Sequence, residues 1–162
     1  MIAVDGGEVW ADDSGGDGPP LVLLHPGIGD SRIWEPVLPA LTASYRVIRY
    51  DARGFGRSPA PTAKFSLLAD LISVLGYYGF DSGDMQQEDP PVYGRLGEIS
   101  VPASLLVGDA DYPPLIQANR EAAARIRNCE LIVAPGMDHL PPLREPGLVL
   151  RTITSTLARA GW

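Results

Sequence analysis

Two histidines and two carboxylates fall in loops where catalytic side chains are expected. The chain has two histidines, His25 and His139, and each lies in a loop that follows an apolar run. Asp109 and Asp111 lie at the end of a third apolar run, "SVPASLLVGDAD". A carboxylate that accepts a hydrogen bond from one imidazole nitrogen fixes the tautomer and raises the basicity of the other nitrogen. Such a pair can remove a proton from water or from a substrate carbon acid.

A second pattern has the spacing of a nucleophile turn. Residues 79–83, "GFDSG", place Asp81 between small residues, as a sharp strand-to-helix turn requires for exposing a reactive side chain. Such a turn must follow an apolar strand, because the strand fixes its strained geometry. The residues before Gly79 have a helical period instead, so a surface loop is the favoured interpretation. Asp81 and the neighbouring Ser82 stay as the weaker nucleophile candidates.

Alternating strands and helices would position these side chains. Continuous apolar runs predict buried strands, and runs with a helical period predict helices. The predicted strands are 8–13, 20–25, 45–51, 100–111 and 129–136, and the predicted helices are 32–42 with Ser31 as its cap, 64–79, 113–127 and 144–161. This alternation predicts an α/β fold, with a mostly parallel twisted sheet and helices on both faces. The loops at the carboxyl ends of such strands form the site, which places His25, Asp111 and His139 at one edge.

Composition argues against several classes of protein. The 162 residues suffice for one domain with a real core, predicted over 1–162. A net charge of −7 repels phosphate backbones and argues against a nucleic-acid partner. The sequence has no apolar run long enough to cross a bilayer and no signal-peptide pattern, so no membrane partner is expected. The single cysteine and the lack of a Cys/His cluster predict a cytoplasmic protein without disulfide, metal or other cofactor.

Several motifs together resemble the α/β-hydrolase family. The stretch "LVLLHPGIGDSRIWEPVLPALTASYRVIRYDARGFGRS" looks like the family's N-terminal half, with a His-Gly-type oxyanion loop and an Asp-x-Arg-Gly-x-Gly-x-Ser turn. "VPASLLVGDADYP" is similar to the strand that ends in the catalytic acid, and "APGMDHLPPLREP" to the loop that carries the catalytic histidine. The resemblance covers nearly all of residues 2–160, and it rests on the set of motifs rather than on any one of them.

The resemblance implies a role for individual residues. It implies that Asp111 is the catalytic acid and that His139 is the base that Asp111 orients. It further implies that His25 shapes the oxyanion loop and is not itself a base. The backbone N–H groups of Gly27 and Ile28 are then the candidate donors to an anion in that loop.

One departure from the family pattern matters for function. In the family, the helix that matches 64–79 leads to a central strand, a Gly-x-Ser-x-Gly elbow, a helix, another strand and usually a lid. Here residues 80–98 lead straight to the acid strand, so they mark the seam of an internal deletion in a reduced core without the nucleophile strand. Unpaired strand edges are costly. We therefore expect strand 20–25 to pair with strand 102–108, and a homodimer to cover the exposed apolar patch.

The sequence leaves two functions open. The first is an enzyme, a weak hydrolase or a non-hydrolytic general-base catalyst, in which His139 and Asp111 act on a small, largely apolar substrate. The candidate pocket-lining residues for it are Trp34, Tyr112 and Met137. The alternative is a non-catalytic relative, a ligand-binding or interaction protein produced by internal deletion. An accessible imidazole beside Asp111 favours the enzyme, and separation of the two residues favours the alternative.

Overall fold

The computed structural model describes residues 1–80 and 92–162. The described residues form two compact units, one containing residues 1–80 and the other residues 92–162. The candidate nucleophiles Asp81 and Ser82, and much of the predicted seam, lie outside the described residues. The assignment of the whole chain to a single domain stays a prediction.

The first unit contains two small sheets. Its strands are β1 (Ile2–Val4), β2 (Gly7–Val9), β3 (Ala11–Asp13), β4 (Pro20–Leu23) and β5 (Arg46–Tyr50). Strands β1 and β2 form an antiparallel pair, with Ile2 opposite Val9. The second sheet has the order β3-β5-β4, in which β4 and β5 are parallel and β3 and β5 are antiparallel. The parallel β4–β5 pair places the loops after both strands at one edge of this sheet.

The predicted strand 8–13 is two strands, because the backbone of Trp10 bonds to a loop instead of continuing one ladder. The Trp10 N–H donates to the Ser58 hydroxyl at 2.8 Å, and its carbonyl accepts from the Asp51 N–H at 2.9 Å. Both partners belong to the loop that follows β5. Trp10 thus ties the end of β2 and the start of β3 to that loop.

The predicted helix 32–42 is also divided. A short 3₁₀ helix covers Ser31–Trp34, and the helix α1 covers Leu38–Leu41. Pro36 lies between them, and a proline inside a helix removes a hydrogen-bond donor and clashes with the preceding turn. The cap is Asp30, whose carboxylate accepts from the Arg32 N–H at 3.0 Å, and not Ser31 as the sequence suggested.

The helix α2 (Leu67–Tyr77) completes the core of the first unit. Ser66 caps it, because the hydroxyl accepts from the Ala69 N–H at 3.2 Å. Val74 of this helix joins the buried cluster, whose members are Ile2, Val9, Ile48, Tyr50 and Val74. The prediction 64–79 overran the observed helix at both ends, where Ser66 and Gly79, with φ of +80°, delimit it.

The second unit is a parallel strand pair with helices. After a 3₁₀ helix at Val92–Glu98 come β6 (Ala103–Gly108), α3 (Pro113–Arg125), β7 (Cys129–Ala134), α4 (Pro141–Arg144) and α5 (Pro146–Arg159). Strands β6 and β7 run parallel, from Ala103 opposite Cys129 to Gly108 opposite Ala134. The predicted helix 144–161 begins at Pro146, because Glu145 precedes a proline and adopts a non-helical backbone conformation.

The α/β class predicted from the sequence is confirmed, with two parallel and two antiparallel strand pairs in the described residues. The predicted pairing of strand 20–25 with strand 102–108 stays a prediction, because the two strands belong to different units, in which β4 pairs with β5 and β6 pairs with β7. A strand's apolar pattern identifies it as buried but does not identify its neighbour. No helix in residues 1–80 or 92–162 has the length and apolar character to cross a membrane.

Candidate functional site

The end of β6 closely approaches the loop that carries His139. The Ala110 N–H donates to the Met137 carbonyl at 3.0 Å, and the Asp109 N–H continues the strand ladder to the Ala134 carbonyl, also at 3.0 Å. A Cβ atom on Gly108 would collide with the Met137 carbonyl, so this position requires glycine. The loops after β6 and β7 are therefore fixed against each other by backbone contacts.

Asp109 joins the same two loops through its side chain. Its carboxylate accepts from the Gly136 N–H at 2.6 Å. Gly136 has a φ of +69°, a conformation that glycine adopts without strain. Asp109 thus shapes the turn before His139 and has no hydrogen bond to the imidazole within the described residues.

Asp111 and His139 form the contact on which the candidate site is built. The Nδ1 atom of His139 lies 3.2 and 3.1 Å from the two carboxylate oxygens of Asp111. The Asp111 side chain is 8% exposed, and the His139 side chain is 48% exposed. The Tyr112 N–H also donates to Asp111, at 2.6 Å, and this bond holds the carboxylate in place. The buried acid therefore faces one nitrogen of a half-exposed imidazole.

This geometry leaves the second imidazole nitrogen available. When Nδ1 carries a proton and donates it to Asp111, Nε2 has a free lone pair. Among residues 92–162, no side chain or backbone group forms a hydrogen bond with Nε2. The arrangement can accept a proton at Nε2 while Asp111 stabilises the resulting imidazolium.

Asp138, the residue before His139, is engaged elsewhere. Its carboxylate accepts from the Leu140 N–H at 3.3 Å and from Nη2 of Arg144 at 2.9 Å. The hydrogen bond from the Leu140 N–H, and to a smaller extent the one from Arg144, lower the pKa of Asp138. Asp138 fixes the start of α4 and makes no hydrogen bond to the imidazole of its neighbour, which makes it a suitable comparison residue for Asp111.

His25 in the first unit has a different environment from His139. Its Nε2 accepts from the Ala52 N–H at 2.9 Å, so Nε2 is unprotonated. The proton is then on Nδ1, which donates to the Pro26 carbonyl at 2.9 Å. Both nitrogens are used within the loops after β4 and β5, and His25 has no free lone pair for proton transfer.

The backbone next to His25 offers free donors. Gly27 and Ile28 are exposed, and within residues 1–80 neither N–H group has a protein acceptor. Gly29, in contrast, donates to the Pro26 carbonyl at 3.2 Å and closes the turn. Two adjacent free N–H groups in a constrained loop can bind a carbonyl oxygen or an anion.

The turn after β5 is braced by a buried carboxylate. Asp51 accepts from the Ser31 N–H at 2.8 Å and from the Arg57 N–H at 2.9 Å. Burial by itself raises the pKa of Asp51, but the hydrogen bonds from Ser31 and Arg57 outweigh burial, and the pKa lies below its usual value. A Cβ on Gly56 would collide with this carboxylate, which explains the second glycine of the turn motif.

Arg53 fastens the same turn to α2. Its guanidinium donates to the two carboxylate oxygens of Asp70 at 2.9 and 2.7 Å, and both side chains are buried. Nη2 also donates to the Asp5 carbonyl at 2.5 Å. Asp51 and Arg53 therefore brace the turn after β5.

Of the predicted pocket-lining residues, Trp34 belongs to the first unit, and Tyr112 and Met137 belong to the second. Nε1 of Trp34 donates to the Leu24 carbonyl at 3.1 Å and supports the loop that follows β4. Tyr112 is exposed, and Met137 is buried beneath its own loop. As pocket-lining residues, the three stay predictions.

The sequence did not indicate a largely apolar cavity in the first unit. This cavity, of about 360 Å³, is lined by Leu24, His25, Gly27, Tyr50, Ala52, Phe55, Leu67, Leu68 and Leu71. The leucines have the same helical spacing as core residues, so the pattern could not distinguish a cavity wall from a packed core. The described residues contain no group of three His, Cys, Asp or Glu side chains suited to a metal ion.

One family model and several curated proteins match parts of this chain. A family model described as alpha/beta hydrolase fold matches residues 19–89. A pimeloyl-[acyl-carrier protein] methyl ester esterase of Legionella pneumophila, strain Corby, is 32% identical over 109 residues, which cover 62% of this chain and 45% of that protein. The matched region thus spans less than half the length of that relative.

Solved structures match over the whole chain. The enol-lactonase from Burkholderia xenovorans LB400 superimposes with a TM-score of 0.83 at 16% identity, covering 98% of this chain and 100% of that one. A bromoperoxidase from Bacillus anthracis gives a TM-score of 0.80 at 17% identity, covering 98% and 99% of the two chains. At these identities the likeness shows the fold.

Proposed function

Because this chain belongs to the α/β-hydrolase superfamily, we propose that it is an enzyme in which His139, oriented by Asp111, acts as a general base on a small, largely apolar substrate. The observation that carries the proposal is the contact of His139 Nδ1 with both carboxylate oxygens of Asp111, at 3.2 and 3.1 Å. Asp111 is almost fully buried and His139 is half-exposed, so the pair combines a fixed acid with an accessible base.

We propose an ester or a lactone as the substrate class. An esterase and an enol-lactonase are among the similar proteins. Nε2 of His139 takes a proton from water while the water oxygen forms a bond to the carbonyl carbon. The resulting tetrahedral oxyanion collapses, the bond to the alkoxy oxygen breaks, and the imidazolium returns its proton to the leaving oxygen. This route needs no serine nucleophile, and it supports a slow hydrolase.

The same base supports a non-hydrolytic reaction. Nε2 can remove a proton from a carbon next to a carbonyl group, and Asp111 stabilises the imidazolium in that case as well. Comparing ester hydrolysis with deuterium exchange at the α-carbon of a small ketone separates the two reactions. We also propose that the free N–H groups of Gly27 and Ile28 bind a carbonyl oxygen. We further propose that the chain assembles as a homodimer and is located in the cytoplasm.

The test is the hydrolysis of p-nitrophenyl acetate by the purified chain and four variants. His139→Ala should reduce the rate about 100-fold or more, as loss of a general base does. Asp111→Asn should lower the rate and change its pH profile, because the amide no longer stabilises the imidazolium. Asp138→Asn is the matched control and should keep both rate and profile. Gly27→Pro removes one N–H donor and should raise KM or lower kcat.

Two results would reject the general-base proposal. If His139→Ala retains the wild-type rates of hydrolysis and of deuterium exchange, the pair is not catalytic. If neither reaction exceeds the uncatalysed rate, the alternative of a non-catalytic ligand-binding or interaction protein is favoured. Stoichiometric labelling of a serine by a fluorophosphonate would show an acyl-enzyme route in place of direct attack by water.

A further inference from the structure

The imidazole of His139 depends for its position on the backbone of the loop after β7, residues 135–140. Its side chain is 48% exposed, so packing does little to hold the ring. Within residues 92–162, the hydrogen bonds of the ring go to the Asp111 carboxylate alone. The contact with Asp111 therefore persists only while this loop keeps its conformation.

Gly136 turns the chain within this loop, shortly before His139. It has a φ of +69°, which glycine adopts without strain, but glycine also loses more conformational freedom than any other residue when it is fixed. A Cβ atom at this position would meet no atom of the described residues within 4 Å, so packing does not fix the turn. The turn therefore depends on hydrogen bonds.

The carboxylate of Asp109 provides the hydrogen bond at this turn. It accepts from the Gly136 N–H at 2.6 Å, and within residues 92–162 it has no second hydrogen-bond partner. Hydrogen bonds with an ionised partner are roughly twice as strong as neutral ones. The backbone of Asp109 is itself fixed to β7, because its N–H donates to the Ala134 carbonyl at 3.0 Å. The carboxylate thus connects a fixed strand end to the turn that precedes His139.

We infer that Asp109 is a positioning residue for His139, which keeps Nδ1 of the imidazole against Asp111 by holding the turn at Gly136. Asp109 has no hydrogen bond to the ring within residues 92–162, so it acts through the backbone of the loop. Asp111 orients the ring directly, and Asp109 fixes the backbone that carries it. The catalytic consequence rests on the proposed function, whereas the orientation of the ring can be measured without any activity.

The experiment measures which imidazole nitrogen of His139 carries the proton. Long-range ¹H–¹⁵N spectra of the full-length ¹⁵N-labelled chain distinguish the two tautomers at about pH 9, where an imidazole is neutral. The wild type should carry the proton on Nδ1, since Nδ1 donates to Asp111. The ring of His25, which is bonded to backbone groups in the first unit, is the internal reference and should not change in any variant. The spectrum of His139→Ala identifies the signals of each ring.

Four variants separate the hydrogen bond from the charge. Asp109→Ala removes the acceptor and should raise the ratio of the Nε2–H to the Nδ1–H tautomer of His139 about tenfold, as loss of one charged hydrogen bond provides. Asp109→Glu keeps the charge but displaces the acceptor by one methylene group, and should raise the ratio as well. Asp109→Asn keeps an acceptor oxygen in place and should retain the wild-type ratio. Glu130→Ala removes an exposed carboxylate of β7 that is not bonded to the loop, and should change nothing.

A kinetic measurement tests the catalytic consequence. Asp109→Ala should lower kcat for p-nitrophenyl acetate about tenfold and leave KM unchanged, because the base is displaced and the substrate contacts are not. Asp109→Asn should restore kcat. If the wild type does not exceed the uncatalysed rate, the proposed function fails, and the tautomer ratio alone decides whether Asp109 positions His139.

Two outcomes would overturn the inference. The first is a wild-type tautomer ratio in a folded Asp109→Ala variant. The second is an Asp109→Asn variant whose ratio rises as much as that of Asp109→Ala, which would assign the effect to the charge of Asp109. The dispersion of the backbone amide signals shows whether each variant is folded. If Asp109→Ala does not fold, the Asp109→Glu and Asp109→Asn pair decides, and a wild-type ratio in Asp109→Glu would overturn the inference.

Discussion

The two histidines of this chain have opposite environments. His25 uses both ring nitrogens in hydrogen bonds to backbone groups of the loops after β4 and β5. His139 uses one ring nitrogen against Asp111 and is half-exposed. Since proton transfer needs a free lone pair, the difference in hydrogen bonding separates a structural histidine from a candidate base. Both histidines lie in a loop that follows a strand, so this position does not distinguish them.

Asp51 should make the chain sensitive to acid. Because the folded pKa of Asp51 lies below the usual value of 3.8, its stabilising effect is complete above pH 3.8 and is lost as the pH falls through the folded pKa. Asp51→Asn should lower the free energy of unfolding at pH 7 by about 1–3 kcal/mol, because the amide nitrogen cannot accept from Arg57. Urea unfolding between pH 2 and 7 should show this difference shrinking toward low pH. Asp17→Asn, at an exposed side chain, is the control, and a difference independent of pH would contradict the assignment.

Two glycines should respond to alanine in opposite directions. Gly108→Ala places a Cβ against the Met137 carbonyl and should destabilise the chain by about 1–3 kcal/mol, as overpacking does. Gly76→Ala is at an exposed site in α2 with nothing within 4 Å, and should stabilise by about 0.4–1 kcal/mol. Thermal unfolding measures both variants. Equal shifts in Tm would show that the β6 end does not approach the His139 loop closely.

At the scale of elements, one buried ion pair connects α2 to the loop after β5. The Arg53–Asp70 contact is bidentate and buried, and Arg53 also donates to the carbonyl of Asp5 after β1. The Asp51 carboxylate accepts hydrogen bonds from the Ser31 N–H, at the end of the loop after β4, and from the Arg57 N–H, in the loop after β5. Short strands that bury little surface are thereby held by charged hydrogen bonds, which have stricter geometric requirements than apolar contacts.

Breaking this ion pair from one side should be strongly destabilising. Asp70→Asn leaves the buried guanidinium of Arg53 without its carboxylate and should cost about 3–5 kcal/mol of unfolding free energy. The double variant Arg53→Met/Asp70→Leu removes both charges and should recover part of that loss. Guanidinium chloride unfolding of Arg53→Met, Asp70→Leu and the double variant forms a double-mutant cycle. A purely additive cycle would show that the two side chains do not interact.

The elements also show what a sequence can and cannot predict. Apolar runs located β4, β5, β6 and β7 to within a few residues, because buried parallel strands have a continuous apolar signal. The division at Trp10 was not predictable, since it depends on hydrogen bonds to Asp51 and Ser58, which are distant in sequence. The division after Trp34, in contrast, is indicated in the sequence by Pro36, because a proline interrupts a helix whatever its apolar period.

The candidate site was predictable to a similar extent. The Asp111–His139 contact was anticipated from loop position and from the family resemblance. The cavity was not, because Tyr50, Leu68 and Leu71 have the residue types and spacing of a packed core. A cavity depends on the spacing of the elements that enclose it, and residue types alone do not determine that spacing.

At the scale of the whole molecule, the described residues leave several large apolar side chains exposed. They include Leu24, Ile28, Leu67 and Tyr77 in the first unit and Val101, Tyr112 and Leu143 in the second. In the first unit, Leu24 and Leu67 border the same cavity, so their exposed surface is continuous with its apolar walls. Exposed apolar surface of this kind is typical of association sites.

The chain should therefore form a homodimer through the first unit. Sedimentation equilibrium of the wild type at micromolar concentration should give twice the chain mass. Leu67→Glu places a charge on the exposed surface beside the cavity and should shift the chain to monomer, because burying an unpaired carboxylate is unfavourable. Leu143→Glu makes the same change at an exposed site of the second unit and should leave the dimer intact. A monomeric wild type, or dissociation by Leu143→Glu alone, would contradict association through the first unit.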